Sequence, residues 1–311
     1  IVASAAIFQS FNVIDFYYQS KVLSKYTVYS NLLALTLSSL SKITLILLNA
    51  PLIAFGIVIM VDAIILAGGL IYFYIKTLNL SLFKWSFSLV TAKSLLRNSW
   101  PLILAGFVIS IYMKIDQVMI KEMMSVEAVG QYAAAVRLSE AWYFIPMVIC
   151  GSLFPAIVNA RKNNKTIYFK RLQRLYTFMV WSGIMIAVPV TFFGGWLVSA
   201  LYGDAYNQAT PVLIIHIWAG VFVFLGVAFN KFLTAEALVI KTFYRTFFGA
   251  LINIILNFLL IPTYGITGAA IATLVSQFIT NVIFDLFDRD LRKYFKMKLL
   301  ALYPFGLLKA Y

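Results

Sequence analysis

Residues 52–75 of the chain read LIAFGIVIMVDAIILAGGLIYFYI, and Asp62 is the one ionisable residue among them. About 20 mostly apolar residues are enough for a helix to cross the hydrocarbon core of a bilayer. Inside that core every backbone polar group must find its partner within the protein, which favours a helix. This stretch therefore predicts a transmembrane helix.

The composition of the whole chain supports the same conclusion. Of its 311 residues, 62% are hydrophobic and 12% are charged, and the mean hydropathy is +0.91. Ordinary soluble domains are about 45–50% apolar and about 25% charged, so the composition excludes a soluble globule and predicts a polytopic membrane protein. A net charge of +14 would indicate nucleic-acid binding in a soluble protein, but in a membrane protein it reports loop orientation, and no nucleic-acid partner is expected.

Further stretches of the required length predict an all-α bundle of about nine transmembrane helices. Residues 1–18 are interpreted as the last part of a span whose start is missing, which implies an amino-terminal truncation. The other predicted spans are residues 26–49, 52–75, 100–120, 131–158, 177–202, 209–230, 243–262 and 266–287.

The connections between these spans alternate in charge. Most of the 25 cations fall in residues 21–25, 76–97, 161–174, 241–245 and 289–309. The intervening connections contain one cation, Lys121, and three anions, Glu122, Glu127 and Asp204. The positive-inside rule makes the basic side cytoplasmic, so the carboxyl terminus is predicted to be cytoplasmic.

The longest connection, residues 76–97, is the predicted boundary between two lobes. A helix start is expected after it, with Ser99 as N-cap and Pro101 in the first turn. Residues 1–97 are then the remainder of an N-terminal lobe with three helices, and residues 98–311 are a C-terminal lobe with six helices and a basic tail. Residues 76–97 and 161–176 mix aromatic residues with cations, which predicts segments at the lipid headgroup level.

Ionisable residues within the spans are the candidate functional residues, because each costs about 2.5–3.5 kcal/mol at the bilayer centre. Asp116 and Arg137 lie at similar depth on either side of a short loop, as do Lys114 and Glu140, so this hairpin is expected to hold a charge network. Two interpretations stay open: the ions neutralise each other and lock the helices, or they line a hydrated substrate path. The predicted cationic lumen is Lys42, Lys114, Arg137 and Lys231, and the predicted ion-coupling or charge-network residues are Asp15, Asp116 and Glu140.

Polar residues also recur at helical spacing in the last two spans. They form the stripes Asn253 and Asn257, and Thr273, Gln277, Asn281 and Asp285. Such stripes are expected to face the bundle interior, where hydrogen bonding between helices is favoured over a direct transport role. The single histidine, His216, has no companion ligands at metal spacing and is interpreted as a packing residue.

Motifs of catalytic chemistry are missing from the sequence. It contains no GxxxxGK[ST], HExxH or GxSxG motif, and its one cysteine, Cys150, can form neither an intrachain disulfide nor a paired-cysteine metal site. The chain is therefore predicted to be no enzyme and to need no cofactor or metal.

Residues 112–157, YMKIDQVMIKEMMSVEAVGQYAAAVRLSEAWYFIPMVICGSLFPAI, resemble the Wzx-type flippases of bacterial surface-polysaccharide repeat units, within the MATE-like, MurJ-like MOP exporter superfamily. FNVIDFYYQSK at residues 11–21 and YGITGAAIAT at residues 264–273 are similar to the same family, so the resemblance covers residues 8–295. It implies a V-shaped bundle of twelve helices and two lobes in the bacterial inner membrane, of which about nine helices are present here.

The resemblance also implies a function. The expected cargo is an oligosaccharide repeat unit of O-antigen or capsule on undecaprenyl diphosphate, moved from the cytoplasmic to the periplasmic leaflet by alternating access. Lumen cations would compensate the diphosphate, H⁺ or Na⁺ would drive the cycle, and polysaccharide polymerase and chain-length proteins would be partners. Two alternatives stay open: a drug or cation antiporter of the same fold, and a membrane-embedded polysaccharide polymerase or ligase, which would need a larger external loop than any predicted here.

Overall fold

The computed structural model describes residues 4–20, 23, 25–78, 85–236 and 238–303. Every regular element in these ranges is helical. The chain divides into two compact units, residues 1–92 and residues 93–311. The lobe boundary after residue 97 stays a prediction.

The N-terminal unit is a small group of helices. Its elements are α1 (Ala5–Gln9), a 3₁₀ turn (Ser10–Asn12), α2 (Val13–Ser20), α3 (Lys25–Leu47) and α4 (Leu52–Leu78). Their core contains Ile14, Tyr18, Leu70 and Tyr74. Since the 3₁₀ turn interrupts the first helical stretch, the predicted span over residues 1–18 is not one regular α-helix.

The C-terminal unit contains the longer helices. They are α5 (Leu89–Met123, which begins in the preceding unit), α6 (Val126–Glu140), α7 (Phe144–Asn163), α8 (Lys165–Tyr202), α9 (Ala209–Ala235), α10 (Val239–Asn281) and α11 (Arg292–Ala301). Short 3₁₀ segments follow α6, α8 and α10 at Ala141–Tyr143, Asp204–Tyr206 and Ile283–Leu286. The helix α9 is the central element, because 67% of its apolar window is buried between its neighbours.

Six helical stretches of the described residues are long and apolar enough to cross a membrane. They are Lys25–Leu47, Ile53–Lys76, Val126–Leu153, Lys165–Tyr202, Ala209–Ala235 and Val239–Leu286. The last stretch holds two predicted spans, which are joined at Gly265, where φ is 58° and the helix breaks. Glycine suits that position, because a positive φ is costly for residues with a Cβ. The protein is therefore a multi-pass helical membrane protein.

The predicted helix start at Ser99 is wrong. The helix α5 runs unbroken from Leu89, so no helix begins at Ser99. Residues 165–176 are the first turns of the 38-residue helix α8, and their position at the lipid headgroup level stays a prediction. The side chains of Tyr168, Leu172 and Tyr176 share one face of these turns and are buried in the core of the unit, so that face packs on protein.

An ion pair joins the first turn of α10 to the residues that follow its carboxyl end. Lys241 Nζ lies 2.6 Å from Asp288 Oδ2 and 3.2 Å from Asp290 Oδ2. Burial raises the pKa of Asp288, but hydrogen bonds from Lys241 and from backbone amides outweigh it and hold the net pKa below its usual value.

This pair predicts a pH-dependent contribution to stability. Because the pKa of Asp288 is lowered by folding, its contribution is present above the unfolded value of about 3.9 and is lost as pH falls through the folded value. We expect Asp288→Asn to cost at most about 1 kcal/mol at pH 7, as for other partly exposed ion pairs, and to lose less stability between pH 6 and pH 3 than the natural protein. Thermal unfolding in detergent across that range measures both effects. An equal loss in the two proteins would contradict the assignment.

Candidate functional site

The carboxylate of Asp116 is the centre of a buried polar cluster. Asp116 is 6% exposed on α5. The hydroxyl groups of Tyr132 and Thr273 each donate to its Oδ2 at 2.6 Å, and Asn257 Nδ2 donates to its Oδ1 at 2.6 Å. Three helices therefore converge on this carboxylate: α5, α6 and α10, which contributes a residue from each side of Gly265.

Further amide and hydroxyl groups extend the cluster. Asn253 Nδ2 donates to Thr273 Oγ1 at 3.4 Å, and Asn257 Nδ2 also lies 3.1 Å from Asn253 Oδ1. Asn257 Oδ1 is buried without a hydrogen-bond partner. Among the described residues no Lys or Arg forms an ion pair with Asp116, so neutral oxygen and nitrogen groups surround this carboxylate. Oxygen-rich surroundings of this kind suit hard cations, and a carboxylate held there is also able to take a proton.

A cavity of about 190 Å³ lies beside Asp116 within the C-terminal unit, and its lining combines polar groups with a larger apolar surface. It is large enough for several water molecules, which the polar groups of its lining can bind through hydrogen bonds. Of the predicted site residues, the cavity brings together Asp116 and Glu140. Its polar and aromatic lining comprises Tyr112, Asp116, Tyr132, Glu140, Tyr143, His216, Asn230, Thr246, Thr273, Gln277, Thr280 and Asn281.

The three predicted lumen cations of the C-terminal unit are placed differently. Lys114, Arg137 and Lys231 have exposed side chains and do not line this cavity. The expected pairing of Asp116 with Arg137 is wrong. Tyr132, Val136 and Glu140 of α6 line the cavity, whereas Arg137 is exposed and does not line it.

In the N-terminal unit the predicted residues are half-buried. Asp15 accepts a hydrogen bond from Thr27 Oγ1 at 2.7 Å. Lys42 lies on α3 with a half-buried side chain. Their proposed functional roles stay predictions.

His216 packs where the sequence indicated, inside the unit, but it also reaches the cavity. Its Nδ1 lies 2.9 Å from Ser139 Oγ, and its ring is edge-on to Tyr132 at a centroid distance of 6.3 Å. Tyr132 in turn donates to Asp116. A packing residue therefore borders the carboxylate cluster.

Sequence reasoning missed a second buried cluster, formed by Arg245, Asp285 and Lys298. Lys298 Nζ lies 2.6 Å from Asp285 Oδ2, and Arg245 Nε lies 3.7 Å from Asp285 Oδ1. The exposed fractions of Arg245, Asp285 and Lys298 are 2%, 0% and 0%. Both cations also pack over the ring of Phe229, at 4.5 Å for Arg245 and 3.4 Å for Lys298.

One signal for this cluster was available in the sequence. Asp285 is the last residue of the four-residue stripe that begins at Thr273, so a carboxylate facing the interior required a buried counter-charge. Arg245 falls inside the predicted span 243–262 but was counted with the basic loops. Lys298 gave no such signal, because its burial depends on how α11 folds back.

The chain thus combines several helices that are long and apolar enough to cross a membrane with a buried carboxylate that lines a cavity between them. The family model for MatE matches residues 101–259. The model for the polysaccharide biosynthesis protein family matches residues 5–161, which is half of the chain, and the chain belongs to this family. The membership confirms the resemblance found in the sequence.

Two named relatives are similar to this chain in sequence, and one solved structure is similar to it in fold. The capsular polysaccharide biosynthesis protein CapF of Staphylococcus aureus is 25% identical over 49% of this chain and 40% of CapF. The probable flippase AglR of Haloferax volcanii is 29% identical over 55% of this chain and 37% of AglR. The chain therefore spans about two fifths of the length of these relatives. Its fold is similar to that of the lipid II flippase MurJ in an inward closed conformation, with a TM-score of 0.65, 15% identity and coverage of 96% of this chain and 74% of MurJ.

Proposed function

We propose that the protein moves lipid-linked oligosaccharide repeat units across a membrane as a flippase, with a transport activity rather than a covalent reaction. Membership of the polysaccharide biosynthesis protein family carries this proposal, and the flippase name of the relative AglR supports it. The proposed cargo is an undecaprenyl-diphosphate-linked unit of O-antigen or capsule, moved from the cytoplasmic to the periplasmic leaflet of the bacterial inner membrane by alternating access. The carboxyl terminus is proposed to be cytoplasmic, and polymerase and chain-length proteins are proposed partners.

Deletion of the gene tests this proposal. We expect a deletion mutant to accumulate undecaprenyl-linked repeat units in the cytoplasmic leaflet and to lose surface polysaccharide, because the units are made but not moved. Mass spectrometry of extracted lipids and labelling of surface polysaccharide measure the two effects. A mutant with normal surface polysaccharide and no accumulated lipid-linked units would contradict the proposal.

Ion coupling at Asp116 is the second part of the proposed function. A carboxylate that accepts from two hydroxyl groups and one amide nitrogen, with the unpartnered oxygen Asn257 Oδ1 on the same amide and no cation paired to it in the described part of the chain, supports binding of H⁺ or Na⁺. Because α5, α6 and both sides of α10 contact this carboxylate, binding of a cation there would favour one arrangement of these helices over another. Glu140 lines the same cavity and Asp15 lies in the N-terminal unit; both are proposed as further coupling residues.

Exposed cations are the proposed contacts for the diphosphate. Lys114, Arg137 and Lys231 are exposed on the C-terminal unit, and Lys42 is half-buried on α3. None of these four side chains forms a buried ion pair within the described ranges. They are therefore available to bind an anionic cargo.

Neutralisation of Arg137 is therefore expected to impair transport. A hydrogen bond to a charged group contributes about 1.5–3 kcal/mol, so we expect Arg137→Gln to lower the rate of surface polysaccharide appearance by about tenfold or more. Pulse labelling of the polysaccharide at normal protein amount measures the rate. Lys121→Gln is the matched control, since Lys121 is an exposed cation paired with Glu122 at 3.8 Å. An unchanged rate in Arg137→Gln would refute a role in cargo binding.

A drug or cation antiporter is the second candidate function, favoured by the MatE match over residues 101–259. It predicts that the deletion mutant becomes sensitive to cationic drugs and accumulates no lipid-linked saccharide. The deletion experiment described above therefore separates the two functions.

A further inference from the structure

Arg245 fixes the orientation of two amide side chains in the lining of the Asp116 cavity. Its guanidinium donates to Asn230 Oδ1 at 3.2 Å and to Asn281 Oδ1 at 3.3 Å. A guanidinium carries only donors, so the amide atoms that face it must be oxygens. Asn230 and Asn281 both line the cavity, whereas Arg245 does not. The oxygen ends of both amides are therefore turned toward Arg245.

A third amide, Gln277, follows from the orientation of Asn281. Asn281 Nδ2 donates to Gln277 Oε1 at 2.8 Å and to the backbone carbonyl of Gln277 at 3.0 Å. Because Asn281 presents its nitrogen, Gln277 must present its side-chain oxygen. Gln277 Nε2 and Asn230 Nδ2 then have no hydrogen-bond partner among the described residues. Both residues line the cavity, so these N–H groups are the donors that they can offer to a ligand there.

Other groups of the same lining accept hydrogen bonds. Asp116 and Glu140 contribute carboxyl oxygens, which can accept whether or not the carboxyl group carries a proton. Thr280 contributes a hydroxyl group, and its Oγ1 is buried without a partner in the described part of the chain. No Lys or Arg side chain of the described residues lines the cavity. The lining therefore offers donors and acceptors together, without a fixed positive charge for an anion.

Aromatic side chains complete the lining. Tyr112, Tyr132 and Tyr143 lie in it, and its apolar surface is larger than its polar surface. Sites for small organic ligands typically combine apolar and aromatic walls with a few convergent polar groups. The volume of about 190 Å³ also exceeds what a single water molecule needs. The cavity thus suits a small polar organic group better than a bare ion.

We propose that this cavity binds one uncharged sugar residue of the saccharide, whose hydroxyl groups accept from Asn230 and Gln277 and donate to Glu140 or Asp116. A hydroxyl group donates and accepts at once, so it satisfies both kinds of group. An ionised phosphate or carboxylate only accepts and would lack a counter-charge in the lining, and an ammonium group only donates and would face the two N–H groups. The proposal rests on the proposed function, in which a saccharide is the cargo.

Isosteric exchange of an amide for a carboxylate tests the two donors one at a time. Asn230→Asp and Gln277→Glu keep the oxygen that accepts from Arg245 or from Asn281 and remove only the N–H group. A sugar hydroxyl has a single proton and cannot donate to the new carboxylate and to Glu140 at once, so one hydrogen bond is lost. We expect each variant to bind an uncharged methyl glycoside about threefold to tenfold more weakly.

Binding is measured at pH 7 by titration calorimetry on the intact purified protein in phosphatidylcholine nanodiscs, because maltoside detergents carry sugars of their own. The probes are the methyl glycosides of glucose, galactose, mannose and N-acetylglucosamine, with glucuronate and glucosamine as charged counterparts. Gln208→Glu is the matched control, since it makes the same exchange at an exposed side chain outside the cavity.

Saturable binding of at least one methyl glycoside, weaker in both cavity variants but not in Gln208→Glu, supports the proposal. Three results overturn it: no saturable binding of any of the four glycosides, equal binding in the natural protein and both cavity variants, or tighter binding of a charged sugar. The first would leave a water-filled cavity, and the last would leave an ion site.

Two further comparisons keep the test decisive. Should Gln277→Glu fail to fold, Gln277→Met removes the same N–H group and leaves Asn281 Nδ2 bonded to the backbone carbonyl of residue 277; the same loss of affinity is expected. Glycoside binding that depends on Asn230 and Gln277, in a protein whose deletion leaves surface polysaccharide normal, would retain the sugar site and refute the flippase. Accumulation of lipid-linked units on deletion, without glycoside binding, would do the reverse.

Discussion

Replacement of Asp116 by asparagine is expected to abolish ion-dependent transport while the protein still folds. The substitution removes the charge but keeps the shape of the side chain. The hydroxyl groups of Tyr132 and Thr273, which donate to Asp116 at 2.6 Å, can rotate and accept from the new amide. The loss therefore falls on cation binding rather than on packing.

We expect the rate of polysaccharide translocation in Asp116→Asn to fall by about tenfold to a hundredfold, which corresponds to the loss of about 1.5–3 kcal/mol of charge-assisted interaction. The residual rate should no longer depend on the Na⁺ or H⁺ gradient. Translocation is measured in inverted membrane vesicles with each gradient imposed in turn. Glu122→Gln, which removes an exposed carboxylate at the end of α5, is the matched control. If Asp116→Asn retained the full response to the gradient, the coupling site would have to lie elsewhere.

Replacement of Gly268 by alanine is expected to give the largest loss of stability. A Cβ at Gly268 would overlap the carbonyl oxygen of Leu260 and would lie 2.6 Å from its carbonyl carbon and 3.1 Å from the nitrogen of Ile261. All of these atoms are backbone, so no side chain can move aside. The two sides of α10 would have to separate, and overpacking of this kind typically costs about 1–3 kcal/mol.

The same separation should disturb the carboxylate cluster, since Asn257 and Thr273 approach Asp116 from opposite sides of the Gly265 break. Thermal unfolding in detergent and transport rate measure the two effects. Gly130→Ala is the control: a Cβ there meets no atom within 4 Å, and alanine in a helix interior is about 0.5–1 kcal/mol more favourable than glycine. Equal melting temperatures of the two variants would show that the close approach at Gly268 is not required.

Helical spacing was the sequence signal that identified the interior correctly. Asn253 and Asn257 were predicted to face the bundle, and both are fully buried in the Asp116 cluster. Thr273 was also predicted correctly to face the interior. Within each stripe a polar residue recurs every four residues. Such spacing determines which side chains share a face of the helix. Because polar side chains in a membrane helix avoid lipid, that face is expected to point into the protein.

Depth along the hairpin predicted the partners of the charged residues less well than helical spacing predicted burial. Asp116 and Arg137 were matched because they lie at similar distances from one loop, but depth along a hairpin does not specify the direction of a side chain around its helix axis. The structure instead gives Asp116 the neutral donors Tyr132, Asn257 and Thr273. Those contacts bring together residues up to 157 positions apart, so no local pattern could have predicted the set.

The cluster of Arg245, Asp285 and Lys298 was missed because its two cations were counted as loop charges. Arg245 and Lys298 contributed to the basic balance of their connections, although both are buried against Asp285. The loop pattern records the average orientation of a chain in the membrane. It carries no information on which individual cations a short following helix such as α11 brings back into the core.

The burial of Lys298 has a practical consequence for topology mapping. Reporter enzymes are commonly fused after each successive span to determine on which side of the membrane that point lies. A fusion placed between Leu286 and Lys298 would join the reporter to a chain from which one buried cation has been removed, and Asp285 would keep Arg245 as its partner without the contact at 2.6 Å. Fusions after Tyr303 preserve α11 and therefore report on the native arrangement.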